Sequence, residues 1–176
     1  MEYRTTCASP LGQLTLVSDG TALTALWLEG QRYFGASGQA VWQCRDDLPV
    51  FIAARTWLEQ YFAGRRGAME QLPLSPQGTD FQKEVWQMLC AIPCGDTTTY
   101  GALAAEIARR RGLPRFSAQA VGHAVGRNPI SLLIPCHRVV GSDGNLTGYA
   151  GGIWRKEWLL RHETVKIVNG KVSRQQ

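Results

Sequence analysis

Long apolar runs are missing from this 176-residue chain. No stretch approaches the roughly 18 consecutive apolar residues of a membrane-spanning helix, and MEYRTTCASPLG has no apolar segment behind a basic start. The expectation is a soluble, unexported, cytoplasmic protein with no membrane partner. Histidine is scarce, with only His123, His137 and His162. Cysteines are few and odd in number: Cys7, Cys44, Cys90, Cys94 and Cys136 are scattered through a chain too long to need disulfide staples. That favours free thiols and a reducing compartment. Cys90 and Cys94 are separated by Pro93, and no second pair at zinc-finger spacing follows, so no metal is expected. Internal repeats are also lacking.

What is present is an ordinary globular composition, 44% hydrophobic, able to core one large domain or two small ones. The net charge of +5 only weakly suggests a polyanionic partner. Its distribution says more, because Arg109, Arg110, Arg111, Arg115 and Arg127 are followed by Arg138, Arg155, Lys156 and Arg161. The basic character is C-terminal.

From Tyr3 to Glu29 short β-rich runs alternate with turns, which predicts an antiparallel meander with a hairpin signal at Asp19-Gly20. Phe51, Ala54, Leu58, Tyr61 and Phe62 then mark a helix stopped by Gly64. LPLSPQGT, rich in Pro, Gly and Ser, is the best domain boundary, giving domains 1–76 and 77–176. Beyond it, Thr79 and Gln82 form a capping-box pattern before a helix with Phe81, Val85, Met88 and Ile92 on one face, ending near Pro93. TYGALAAEIARRR and SAQAVGHAVG read as two more helices, the second N-capped by Ser117. Joined by GLPRF, they suit a helix-turn-helix or two amphipathic core helices about equally. Ser117, Ala118, Ala120 and Gly122 are too small for major-groove readout; they suit either a close minor-groove approach or tight core packing. ISLLI reads as a buried strand or extended segment ending at Pro135, and WRKEWLLRHE as a helix with Trp154, Trp158 and Leu159 on one side. VNGKVSRQQ is polar and expected to fray.

In IPCHRV, Cys136 sits beside His137. Neighbours on an extended segment point to opposite faces, so the two would cooperate only through a third party such as a water. Neutral histidine is the usual base for a cysteine nucleophile, and a carboxylate behind the imidazole would fix its tautomer. Glu163 in RHE is the candidate. GSDGNLTGYAGG is long enough to wall a pocket, with Tyr149 as a stacking surface and Leu146, Thr147 and Trp154 placed to narrow it.

IPCHRVVG with GYAGG and KEWLLRHE resembles the methylated-DNA-protein-cysteine methyltransferases, the O6-alkylguanine-DNA alkyltransferases. The resemblance extends through GTDFQKEVW, IPCGDTTTYGALA and AVGHAVGRNPI, and more loosely through SPLGQLTL and WLEQYFAG. It implies an N-terminal α/β, ribonuclease H-like domain with a small antiparallel sheet, and a mainly α C-terminal domain with a helix-turn-helix. Cys136 would accept the alkyl group from O6-alkylguanine, and from O4-alkylthymine, in a single-turnover repair of double-stranded DNA that needs no cofactor. His137 would be a water-mediated base oriented by Glu163, and Tyr100 a proton donor to guanine N3. Ser117, Ala118, Gln119, Ala120, Gly122 and Arg127 would meet the minor groove while the damaged nucleotide flips out. Asn128 would tie that helix to the active-site segment, and Tyr149 and Ala150 would flank the base. A monomer is expected.

One departure stands out: AQAVG carries Gln119 where the family has an arginine that fills the space left by the flipped base. Glutamine has no charge and less reach, so weaker DNA handling is expected unless Arg115 or Arg127 compensates. The rival readings are a sensor that binds alkylated DNA without repairing it, which the presence of Cys136 opposes, and a Cys-His hydrolase, which leaves Tyr100 and the basic helices without a role.

Overall fold

The computed structural model describes residues 1–35, 41–65 and 71–173. They fall into two compact units, Met1–Gln77 with Pro129–Ser131, and Gly78–Asn128 with Leu132–Gln176.

In the first unit, β1 (Glu2–Ser9), β2 (Gly12–Ser18), β3 (Leu23–Leu28) and β4 (Trp42–Cys44) form one sheet of order β3-β2-β1-β4. The Asp19 carboxylate holds the β2–β3 turn by accepting from the Thr21 and Ala22 N–H groups at 2.8 and 2.9 Å. β1 to β3 form the expected antiparallel meander. The sheet as a whole is mixed, however, because β4 runs parallel to β1. Tight turns join β1 to β2 and β2 to β3, leaving the outer edge of β1 open; the connection from Leu28 to Trp42 is long enough for the crossover that parallel pairing needs. Against β1 and β2 packs α1 (Pro49–Phe62), which starts on a proline and buries Phe51, Ala54, Leu58 and Tyr61. Val17, Ala25 and Trp27 form a separate cluster covered by Trp42.

The second unit opens with α2 (Asp80–Cys90), whose capping box is complete: Thr79 accepts from the Gln82 N–H while the Gln82 side chain accepts from the Thr79 N–H. Its buried face is Val85, Trp86, Met88 and Leu89, with Phe81 only partly buried. β5 (Thr98–Thr99) leads into α3 (Tyr100–Arg110), and α4 (Ala118–Gly126) packs against both α2 and α3. Ser117 caps α4 by accepting from the Ala120 N–H. β6 (Val139–Val140) pairs in parallel with β5, and α5 (Ile153–His162) follows the glycine-rich loop.

Three sequence expectations change. ISLLI is not a strand: Ile130 makes a single bridge to Leu26, and Leu132 adopts φ +71°, which turns the chain. On α5 the buried face is Lys156, Leu159 and Leu160, whereas Trp154 is 58% exposed. The C-terminal segment is ordered into a hairpin of β7 (Ile167–Val168) and β8 (Lys171–Val172). Its Asn169-Gly170 turn takes φ values of +50° and +71°, the two-residue reversal that Asn-Gly favours. Residues 174–176 of the expected frayed tail lie outside the described residues. Among the described residues, no helix is long and apolar enough to cross a membrane.

Candidate active site

Pro135 ends the turn after Ile134, and Cys136–Arg138 form a single 3-10 turn, with the Cys136 N–H donating to the Ile134 carbonyl at 2.8 Å. The Cys-His pair is therefore helical rather than extended. At about three residues per turn, neighbours on such a turn are offset around its axis, so the alternation of an extended segment does not apply to this pair.

Cys136 is buried. Burial pushes its thiol above the ordinary value, opposed by a hydrogen bond from the Asn128 side chain and by the positive charge of Lys156. Asn128 is itself buried and also donates from Nδ2 to the Ile134 carbonyl at 2.8 Å. One side chain thus holds both the sulfur and the backbone that leads to it.

His137 has no solvent exposure, and its Nε2 lies 2.7 Å from Glu163 Oε1. Burial pulls the imidazole below its usual value, against the pull of Glu163. Burial would raise the Glu163 carboxyl, yet the His137 hydrogen bond and the Arg138 guanidinium hold it well below the carboxylate range. Arg138 supports it on both oxygens, at 2.8 and 3.0 Å, and ties the assembly to the Ile92 carbonyl at 2.6 Å. The pair is therefore a neutral imidazole donating to a carboxylate, which leaves Nδ1 as an acceptor. Among the described residues Nδ1 is buried without a hydrogen-bond partner, as is the Tyr149 hydroxyl.

Tyr100, the first residue of α3, donates from Oη to the Thr147 carbonyl at 3.0 Å. Burial and the nearby Cys136 push its hydroxyl up to about 12, so it keeps its proton across the neutral range. Gly148 is required beside it: φ is +69°, and a Cβ there would sit 3.1 Å from the Tyr100 oxygen. Burial and the Cys136 charge likewise raise the Tyr149 hydroxyl.

On α4, Ser117, Ala118, Gln119 and Arg127 are exposed, Ala120 and Gly122 are partly buried, and Val121, Ala124 and Val125 face inward. The small residues therefore divide. Those of the first turn lie on the surface, while Ala124 serves the core. Gly122 lies against Tyr100, since a Cβ there would be 3.6 Å from its ring. Of the loop residues, Tyr149 is buried and Ala150 partly buried; Leu146 belongs to the core cluster of Val140, Leu160, Val165 and Ile167. Among the described residues no group of three or more acidic, His or Cys side chains could hold a metal.

Sequence reasoning missed Lys156. It has no solvent exposure, and its Nζ donates to the carbonyls of Val139 and Thr147 at 2.5 and 2.7 Å. Burial lowers its ammonium to about 8. KEWLLRHE reads as the polar start of a surface helix, and only the tertiary fold reveals which turn faces inward.

Residues 80–165 match the family described as 6-O-methylguanine DNA methyltransferase, DNA binding domain, and residues 2–76 match its ribonuclease-like domain. A Haemophilus influenzae protein named methylated-DNA--protein-cysteine methyltransferase is 40% identical over 167 residues, 95% of this chain and 89% of that one. A Methanosarcina barkeri protein of the same name is 44% identical over 156 residues, 88% and 92% of the two chains. Among solved structures, the Mycobacterium tuberculosis protein titled OGT in complex with DNA superposes with TM-score 0.77 at 41% identity, covering 92% of each chain.

Proposed function

Because the chain belongs to the 6-O-methylguanine DNA methyltransferase family, we propose that it repairs O6-alkylguanine in double-stranded DNA by moving the alkyl group onto its own Cys136. The single observation that carries the assignment of roles is His137: Nε2 is fixed on the Glu163 carboxylate, and Nδ1 is buried and unpartnered.

The buried thiol is protonated at neutral pH, so the reaction needs a base. A water between Sγ and His137 Nδ1 relays the thiol proton to the imidazole, and Glu163 stabilises the imidazolium that forms. The sulfur attacks the alkyl carbon, a C–S bond forms, and the carbon–O6 bond breaks with its electron pair left on guanine. Tyr100 gives a proton to guanine N3, so a neutral base departs rather than an anion, and the proton taken up by His137 returns through solvent to the Tyr100 phenolate. The net transfer is one alkyl group to sulfur and one proton to the base. A thioether is not reversed by thiol exchange, so each molecule acts once and needs no cofactor.

The first turn of α4, with Ser117, Ala118 and Gln119 exposed and Ala120 partly buried, approaches the minor groove alongside Gly122 and Arg127. The damaged nucleotide leaves the stack at a cost of a few kcal/mol and is held beside Tyr149 and Ala150. Residues 1–76 form the supporting domain and residues 77–176 the DNA-binding and catalytic one. The protein works as a monomer in the cytoplasm, or in the nucleus of a eukaryote, wherever DNA is accessible.

Intact-protein mass after incubation with an O6-methylguanine duplex tests the reading. One methyl increment per chain, absent from Cys136→Ala, is expected. Label on Cys136→Ala, repeated turnover, or binding without transfer would overturn it, the last pointing to a sensor.

A further inference from the structure

We propose that Lys156 is a positioning residue for this alkyl transfer, its ammonium clasping the Val139 and Thr147 carbonyls on either side of the Gly141–Leu146 turn and so fixing the carbonyl that the Tyr100 hydroxyl uses. The inference rests on the function proposed above.

Three observations converge on it. A lysine with no solvent exposure is costly unless its protons are bonded, and two of the three are, to main-chain oxygens at 2.5 and 2.7 Å. Both oxygens belong to the active-site segment: Val139 directly follows the 3-10 turn of Cys136–Arg138, and Thr147 precedes the Gly148 that abuts Tyr100. The Thr147 oxygen is shared, accepting from Lys156 and from Tyr100 at 3.0 Å, while the ammonium lies 5.9 Å from the Tyr100 ring centroid. A shift of Lys156 therefore moves both the loop and the resting place of the proton-donating hydroxyl.

The same charge acts on the chemistry. It favours the Cys136 thiolate and disfavours a proton on His137. The first effect assists a reaction that develops negative charge on sulfur; the second keeps the resting imidazole neutral and ready to accept, while opposing the imidazolium that Glu163 then has to stabilise. The titratable groups facing Lys156 are Tyr100 of α3 and Cys136 and His137 of the 3-10 turn; β7, also packed on α5, brings Ile167 and Val168. On α5 itself, Arg155 donates to the Gly151 carbonyl and Glu157 pairs with Arg161.

The test compares the wild-type protein with Lys156→Met and Lys156→Arg. Readouts are the second-order rate constant for transfer from an O6-methylguanine duplex across a pH series, and the thermal midpoint. Lys156→Met should be slower by about tenfold or more, and Lys156→Arg should recover part of the rate. The wild-type rate should fall as pH rises through about 8, and that falling limb should be missing from Lys156→Met. A Lys156→Met protein with the wild-type rate and profile overturns the proposal, as does one that is merely less thermostable. Should the variants fail to fold, the wild-type profile decides alone, since the lack of a falling limb near pH 8 overturns it. A wild-type protein that takes up no methyl group refutes the proposed function and this inference together, whereas a reactive wild type with an indifferent Lys156→Met refutes only the latter.

Discussion

Glu163 shows how one carboxylate serves several tasks. It orients His137, neutralises Arg138 and carries negative charge where no water reaches it. Replacing it by glutamine removes the anion from a buried pair and leaves the guanidinium uncompensated, which should cost about 3 kcal/mol or more of unfolding free energy, read from a denaturant titration. Replacing His137 by glutamine instead removes the proposed base, and the transfer rate should fall on the order of a hundredfold or more in single-turnover measurements. Glu163 could be read from the chain because RHE ends a predicted helix. The 3-10 turn at Cys136 could not, because Pro135 is compatible with an extended approach and a single turn closed by the Arg138 N–H on the Pro135 carbonyl has no residue pattern of its own. Lys156 was hidden for a related reason: a lysine beside a glutamate on an amphipathic helix reads as solvent-facing.

At the scale of elements, the helices were the legible part because their signals are local. Thr79 and Gln82, Ser117, and the apolar stripe of α1 all fall within a few residues of the boundaries they set. Thr79→Ala should therefore destabilise the protein by about 1 kcal/mol without altering the rate of methyl transfer by the folded protein. α4 invites the opposite experiment. Gln119 is exposed at its N-terminal end, and Gln119→Arg should tighten binding to duplex DNA, with a steeper dependence on salt, in a fluorescence titration. Elements defined by distant partners carry no such local signal. β4 depends on the free edge of β1, and Ile130 on the single bridge to Leu26. The β7–β8 hairpin was legible in principle, from Asn169-Gly170, but its strands are only two residues each.

For the whole molecule, the buried charges set the response to acid. The Glu163 carboxyl is held below its unfolded value of 4.5 and the His137 imidazole below 6.5. For both groups the unfolded chain binds protons first as pH falls, so stability present at neutral pH is lost on acidification, beginning below about 6.5 and steepening below about 4.5. Lys156 has the same sign at the other end, since its folded value near 8 lies under the unfolded 10.5 and stability rises with pH between them. Thermal midpoints across pH should trace this course, and Glu163→Gln should flatten the most acidic part of it.

The inaccessibility of Cys136 reaches further than its chemistry. Cys44, Cys90 and Cys94 lie on the surface, while Cys136 is buried with its thiol pushed upward. A colorimetric thiol reagent should therefore titrate the three surface cysteines in an early phase and leave Cys136 for last. Burial thus sorts the thiols by access: a reagent free in solution meets Cys44, Cys90 and Cys94 before it meets Cys136.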